Sequence, residues 1–212
     1  MAPQKNPKDL QPCVFLDRDG TISEEVGYIN HVSRIRLIPG SARAVRRLND
    51  AGVLAICVTN QAGVARGYFT EDLVREVNAR LDDLLANEAD AKLDALYYCP
   101  HHPEGKPPYN QDSRMRKPKP GMVEKACEDF PVDMNRSYMV GDRRTDVTFG
   151  HALGLKTVFV LSGYGLGSWE HQRDTFDYEP DHVANDLAEA VDWILEDLAL
   201  SKVSDEIRRE KA

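Results

Sequence analysis

Asp17 and Asp19 stand two residues apart in Asp17-Arg18-Asp19-Gly20-Thr21, directly after the apolar run Cys13-Val14-Phe15-Leu16. Carboxylates so placed can divide the work of phosphoryl transfer. One attacks phosphorus as a nucleophile, its neighbour handles the proton of the leaving group, and a divalent cation offsets the crowded negative charge. Taken alone, the pair could equally be an acidic turn. Three further residues point to the same chemistry. Thr59 offers a hydroxyl to a phosphate oxygen, Lys117 offers a point positive charge beside Asp17, and Asp142 supplies a hard oxygen ligand of the kind magnesium prefers. Between Lys106 and Lys119 the chain carries Lys106, Arg114, Arg116, Lys117 and Lys119 against Asp112 alone. That cationic stretch is either a solvated loop or an anion-binding one.

These residues need a scaffold that brings them together. The 212 residues, 42% apolar and 29% charged, are enough for one globular domain with a full core. Short apolar runs at 14–16, 53–58, 93–98, 138–140 and 157–161 read as buried strands. Amphipathic helices are expected over 41–51, 70–88, 121–130, 146–153 and 187–200, the second opening on Thr70-Glu71-Asp72 and the first stopping at Gly52. Alternation of strand and helix implies a parallel sheet covered on both faces, a three-layer α/β Rossmann-like fold. In such a sheet ligands bind beyond the carboxyl ends of the strands, where Asp17, Thr59, Cys99 and Asp142 fall.

The expected organisation is a flexible segment over 1–12, a single domain over 13–200 with an aperiodic loop at 99–120, and a charged tail over 201–212. The net charge of −8 argues against a nucleic-acid or anionic-membrane partner. No apolar stretch reaches the roughly 18 residues of a membrane span, and the N-terminal segment lacks the apolar region of a signal peptide. A cytoplasmic, monomeric protein without disulfides is expected.

Val14 to Thr21, Val58-Thr59-Asn60, Lys117-Pro118 and Gly141-Asp142 with Asp146 resemble, in order, the four motifs of the haloacid dehalogenase (HAD) superfamily. Within it, Gly27-Tyr28-Ile29, the run from Thr59 to Gly67, Tyr98 to Pro103 and Arg116 to Met122 are similar to heptose-bisphosphate phosphatases and their histidinol-phosphate phosphatase relatives. The resemblance implies a HAD-like domain with no large cap. It implies Asp17 as nucleophile, Asp19 as general acid and then base, and Thr59 and Lys117 as stabilisers of the transferring phosphoryl group. Magnesium would be held by Asp17, the backbone carbonyl of Asp19, and Asp142, with Asp146 orienting the site. Substrate contacts would fall at Glu25, Val26, Gly27, Tyr28, Asn60, Gln61, Ala62, Arg116 and Arg143. Arg116 suits a second, distal phosphate because its planar fork binds one bidentately. The implied reaction is hydrolysis of a phosphomonoester of a small sugar bisphosphate through an aspartyl-phosphate. The substrate implied is most like D-glycero-D-manno-heptose 1,7-bisphosphate, losing its 7-phosphate.

Two departures mark this chain. Relatives of this type fix the loop with zinc through Cys-x-His and Cys-x-Cys. Here Cys99-Pro100-His101 keeps the first pair and Ser113-Arg114-Met115 replaces the second, so zinc is expected to be lost, with Cys99 and His101 as its remnants. Arg143 also stands where the closest heptose-type sequences usually carry Lys. Two rival functions have different signatures: a histidinol-phosphate phosphatase, or a signalling receiver module, which would place its acceptor Asp after a later strand.

Overall fold

The protein is described by a computed structural model covering residues 10–210, without the side chains of 202–210. Six strands form one parallel sheet: β1 (Cys13–Leu16), β2 (Leu54–Asn60), β3 (Ala95–Cys99), β4 (Tyr138–Gly141), β5 (Lys156–Val160) and β6 (His182–Ala184). Their order is β3-β2-β1-β4-β5-β6. Val14 is registered against Ala55 on one side and Tyr138 on the other. The chain first builds outward from β1 through β2 to β3, then crosses to β4 and builds the other way. The crossover lies between β1 and β4, so the crevice of this sheet opens beyond their carboxyl ends, next to Asp17 and Asp142.

Helices cover both faces. On one lie α1 (Ser41–Asp50), α3 (Glu71–Ala89) and α7 (Leu187–Glu210), whose apolar sides meet Val14, Leu16, Ala55 and Val140. On the other lie α4 (Gly121–Asp129) and α5 (Arg144–Ala152), packed on Phe15, Ile56 and Met139. The local causes are those read in the sequence. In α3, Thr70 accepts a hydrogen bond from the Leu73 amide at 3.2 Å, and Val74, Val77, Leu81 and Leu85 return to the core face. In α7, the Asp186 carboxylate accepts from the amides of Ala188 and Glu189.

The three-layer α/β fold is as expected, with differences at the margins. β2 runs two residues further, so Thr59 and Asn60 are its last members rather than residues beyond it. Among the strands and α-helices, three short elements were not anticipated: β6, α2 (Gly63–Arg66) and α6 (Gly165–His171). None is long enough to develop a period, and two of them contain glycine. Residues 1–9 of the expected flexible segment lie outside the described residues, but Leu10 to Pro12 are tied down. The Gln11 amide donates to the Pro131 carbonyl at 2.7 Å, and the Asp133 amide donates to the Gln11 carbonyl at 2.7 Å. The tail from Ser201 continues α7 as far as Glu210. Among the described residues no helix is long and apolar enough to cross a membrane.

Candidate active site

β1, β2 and β4 end side by side, and the residues at their ends line or underlie one cleft of about 430 Å³. Asp17 is fixed by its amide, which donates to the Val140 carbonyl at 2.9 Å. The turn after it needs Gly20, which takes φ +86°, and a β-carbon there would lie 2.2 Å from an Asp142 carboxylate oxygen. Only glycine lets the β1 turn approach Asp142 so closely.

Lys117 reaches the site from the long loop. Its Nζ, buried, lies 2.9 Å from Asp17 Oδ1 and 2.6 Å from Asp146 Oδ1. Burial alone would lower the pKa of this ammonium, but the carboxylates of Asp146 and Asp17 outweigh it and raise it, so the group stays charged. The Asn60 side chain holds the loop at this point: Lys117 N donates to its Oδ1 at 3.0 Å, and its Nδ2 donates to the Lys117 carbonyl at 3.1 Å.

Asp19 is held as an acceptor. Arg18 donates to both of its oxygens, at 3.1 and 2.7 Å, and Gln61 Nε2 donates at 2.9 Å while also reaching Thr59 Oγ1 at 3.0 Å. Arg18 is itself fully buried and braced by Asn78 Oδ1 at 2.8 Å.

Asp17, Asp142 and Asp146 offer oxygens within 4.8 Å of one another; among the described residues they form the only group of three His, Cys, Asp or Glu side chains able to share an ion. Two of these oxygens, Asp17 Oδ1 and Asp142 Oδ1, are buried without a hydrogen bond, the Lys117 approach to Asp17 being an ion pair without hydrogen-bond direction. Burial, with Asp17 and Asp146 adding to it, pushes the Asp142 carboxyl up to about 8. Asp142 Oδ1, buried without a partner and grouped with Asp17, fits a hard divalent cation. Asp146 fits that role less well, because one oxygen is taken by Lys117 and the other accepts from the Arg143 amide at 3.2 Å.

The far end of the cleft is cationic. Arg66 at the end of α2 contacts the Tyr28 hydroxyl at 3.1 Å, and half-buried Arg116 contacts only the His101 carbonyl, at 3.4 Å. Neither forms an ion pair with a carboxylate among the described residues. Burial lowers the pKa of Arg116, and Arg66 lowers it further. Of the cationic stretch, only Arg116 and Lys117 face the cleft; Arg114 pairs with Glu124 and Lys119 with Asp112.

Of the residues expected to touch substrate, Glu25, Gly27, Tyr28, Asn60, Gln61, Ala62, Arg116 and Arg143 line the cleft. Val26 does not. Its side chain packs against the core and its carbonyl accepts from Arg34, while the bend at Gly27, which takes φ +79°, separates it from Tyr28 on the cleft side. Asp142 is fully buried beneath the lining. Gly63, Arg66, Thr145 and Tyr164 also line the cleft and were missed, as was Arg18. Arg66 lies within a run that the sequence had already singled out; nothing local marks Tyr164. Cys99 and His101 sit outside the lining, at the start of the loop. Cys99 is buried, and His101 Nδ1 is buried without a hydrogen-bond partner.

Two carboxylates at the end of β1 and a buried lysine at the carboxyl edge of this parallel sheet define a HAD-type phosphoric monoester hydrolase. A HAD-hydrolase-like family model matches residues 114–190. The chain is 44% identical over 197 residues to the D-glycero-D-manno-heptose-1,7-bisphosphate 7-phosphatase of Thermosynechococcus vestitus, covering 89% of this chain and 98% of that one. It is 37% identical over 190 residues to the D-glycero-beta-D-manno-heptose-1,7-bisphosphate 7-phosphatase of Escherichia coli, covering 89% and 90%. The crystal structure of the D,D-heptose 1,7-bisphosphate phosphatase of B. bronchiseptica, complexed with magnesium and phosphate, superposes with a TM-score of 0.78 at 26% identity, over 88% of this chain and 99% of that chain. The chain belongs to the family these enzymes form, within the HAD-like hydrolases. The receiver-module alternative is not favoured: the acceptor candidate follows the first strand, and Asp19 stands beside it.

Proposed function

We propose that this protein removes the 7-phosphate of D-glycero-D-manno-heptose 1,7-bisphosphate. The observation that carries the reading is the pair of guanidinium groups, Arg66 and Arg116, left without carboxylate partners in the same cleft as Asp17. A site for one phosphate would not need them; a bisphosphate supplies the second anion. The names of the relatives support the same substrate.

In this reading Asp17 attacks phosphorus, the ester P–O bond breaks, and Asp19 gives its proton to the departing sugar oxygen. Water then attacks the phosphorus of the aspartyl-phosphate, Asp19 takes the proton of that water, and phosphate and the Asp17 carboxylate are released. The hydrogen bonds from Arg18 and Gln61 fix the position of the Asp19 carboxyl group beside Asp17. Lys117 balances Asp17 and the phosphoryl oxygens, with Thr59 as a further donor. Asp17, the Asp19 carbonyl and Asp142 would hold magnesium, which would supply positive charge to offset the anionic phosphoryl group. Glu25, Gly27, Tyr28, Gln61 and Ala62 surround the sugar. The protein's buried thiols, Cys13, Cys57 and Cys99, accord with a cytoplasmic location.

The test is kcat/KM on purified protein with magnesium, comparing the heptose bisphosphate with histidinol phosphate. The bisphosphate is expected to be preferred, leaving the 1-phosphate as product by phosphorus NMR. Better turnover of histidinol phosphate would overturn the assignment.

A further inference from the structure

Tyr164 is large, aromatic and 45% exposed, yet it lies in a rigid place. Its amide donates to Asp142 Oδ2 at 2.8 Å, and the hydroxyl of Ser162 donates to the Gly20 carbonyl at 2.6 Å. Between them Gly163 takes φ +58°, and a β-carbon there would meet Asp142 Oδ2 at 2.3 Å. The loop after β5 is thus clamped against the β1 turn, and the Tyr164 ring is delivered to the wall of the cleft. The Arg143 guanidinium carbon sits 4.2 Å from the centre of that ring. Glu25 Oε2, at 3.4 Å, is the one side-chain acceptor the Arg143 guanidinium has among the described residues, and that contact is long. With one face against the ring and a single weak acceptor, most of its donors are left for a ligand in the cleft.

We propose that Tyr164 is a positioning residue for specificity: its ring holds the Arg143 guanidinium at the cleft wall, where Arg143 joins Arg66 and Arg116 in receiving the phosphate of the substrate that is not hydrolysed. This rests on the bisphosphate reading above. A guanidinium stacks flat on an aromatic face and keeps its donor edge free, which an ammonium in the same place does not do. Tyr164 therefore acts through Arg143 and tunes binding of the distal anion rather than the chemical step.

Steady-state kinetics on the full chain test this with two substrates, the heptose bisphosphate and p-nitrophenyl phosphate, which has no second anion. Tyr164→Leu is expected to raise KM for the bisphosphate about threefold to tenfold, with kcat little altered and a smaller effect on p-nitrophenyl phosphate. Tyr164→Phe, which keeps the ring, is expected to retain the parental KM. In an Arg143→Lys background the Leu substitution is expected to add little, since the stacked pair is already gone. An unmoved bisphosphate KM in Tyr164→Leu, or equal losses on both substrates, would overturn the assignment while leaving the substrate reading intact. If the parent enzyme shows no preference for the bisphosphate, the substrate reading and this inference fall together.

Discussion

Asp142 concentrates the electrostatics of the cleft. It is fully buried, has one oxygen without a partner, and holds its proton up to about 8 because of burial, with Asp17 and Asp146 adding to the effect. Its folded-state value lies above its value in the unfolded chain. Without a cation the folded protein therefore retains a proton that the unfolded chain has lost, and stability declines as pH rises from about 4 towards 8. A divalent cation replaces that proton. The rise in thermal midpoint on adding magnesium is accordingly expected to be larger at pH 8 than at pH 5.5, as measured by thermal shift. A rise of equal size at both values would count against Asp142 as a ligand. The residues gathered at the cleft were legible in the sequence, since Asp17, Thr59 and Asp142 each stand at or next to the end of an apolar strand. The partners that set their state were not. Asn78 braces Arg18 from the middle of α3, and no local pattern links residues 60 apart in the chain.

At the scale of elements, the loop over 100–120 decides where Arg116 and Lys117 stand. It is fastened to α3 by Glu71, whose two oxygens accept from the hydroxyls of Tyr98 at 2.9 Å and Tyr109 at 2.8 Å. It is fastened to α2 by the Lys106 amide, which donates to the Ala65 carbonyl at 2.6 Å. Such contacts, with those of Asn60 to Lys117, order the loop on either side of Ser113 and Met115. A side-chain hydrogen bond contributes about 0.5–1.5 kcal/mol. Tyr109→Phe is therefore expected to raise KM for the bisphosphate severalfold with kcat within about a factor of two, and to speed amide exchange over 100–116 by mass spectrometry. Unchanged exchange there would show that Tyr109 does not hold the loop. Glu71 could be read from the sequence as a first-turn residue of α3, which it is; its second task depends on where the loop passes.

For the whole molecule, the chemistry lies at one edge of the sheet while the core that supports it lies between the layers. Leu85, fully buried between α3 and the sheet, is part of the larger core cluster and does not line the cleft. Leu85→Ala is expected to cost about 2–5 kcal/mol of stability, while kcat and KM, measured well below the new midpoint, stay near those of the parent. A parallel loss of kcat at full folding would mean that the core sets the geometry of the site directly.

The sequence by itself determined the layered α/β architecture, the four strand ends and the chemical types gathered there. Strand and helix periods, caps and the residues that follow each strand are all local, and local interactions are written in local spacing. Tertiary structure alone decided which groups meet: Arg18 with Asn78, Glu71 with Tyr109, and Tyr164 with Arg143 and Asp142. Those meetings depend on how loops from β1, β3 and β5 converge at the crossover between β1 and β4. That convergence follows from sheet order and helix packing, which no window of sequence contains.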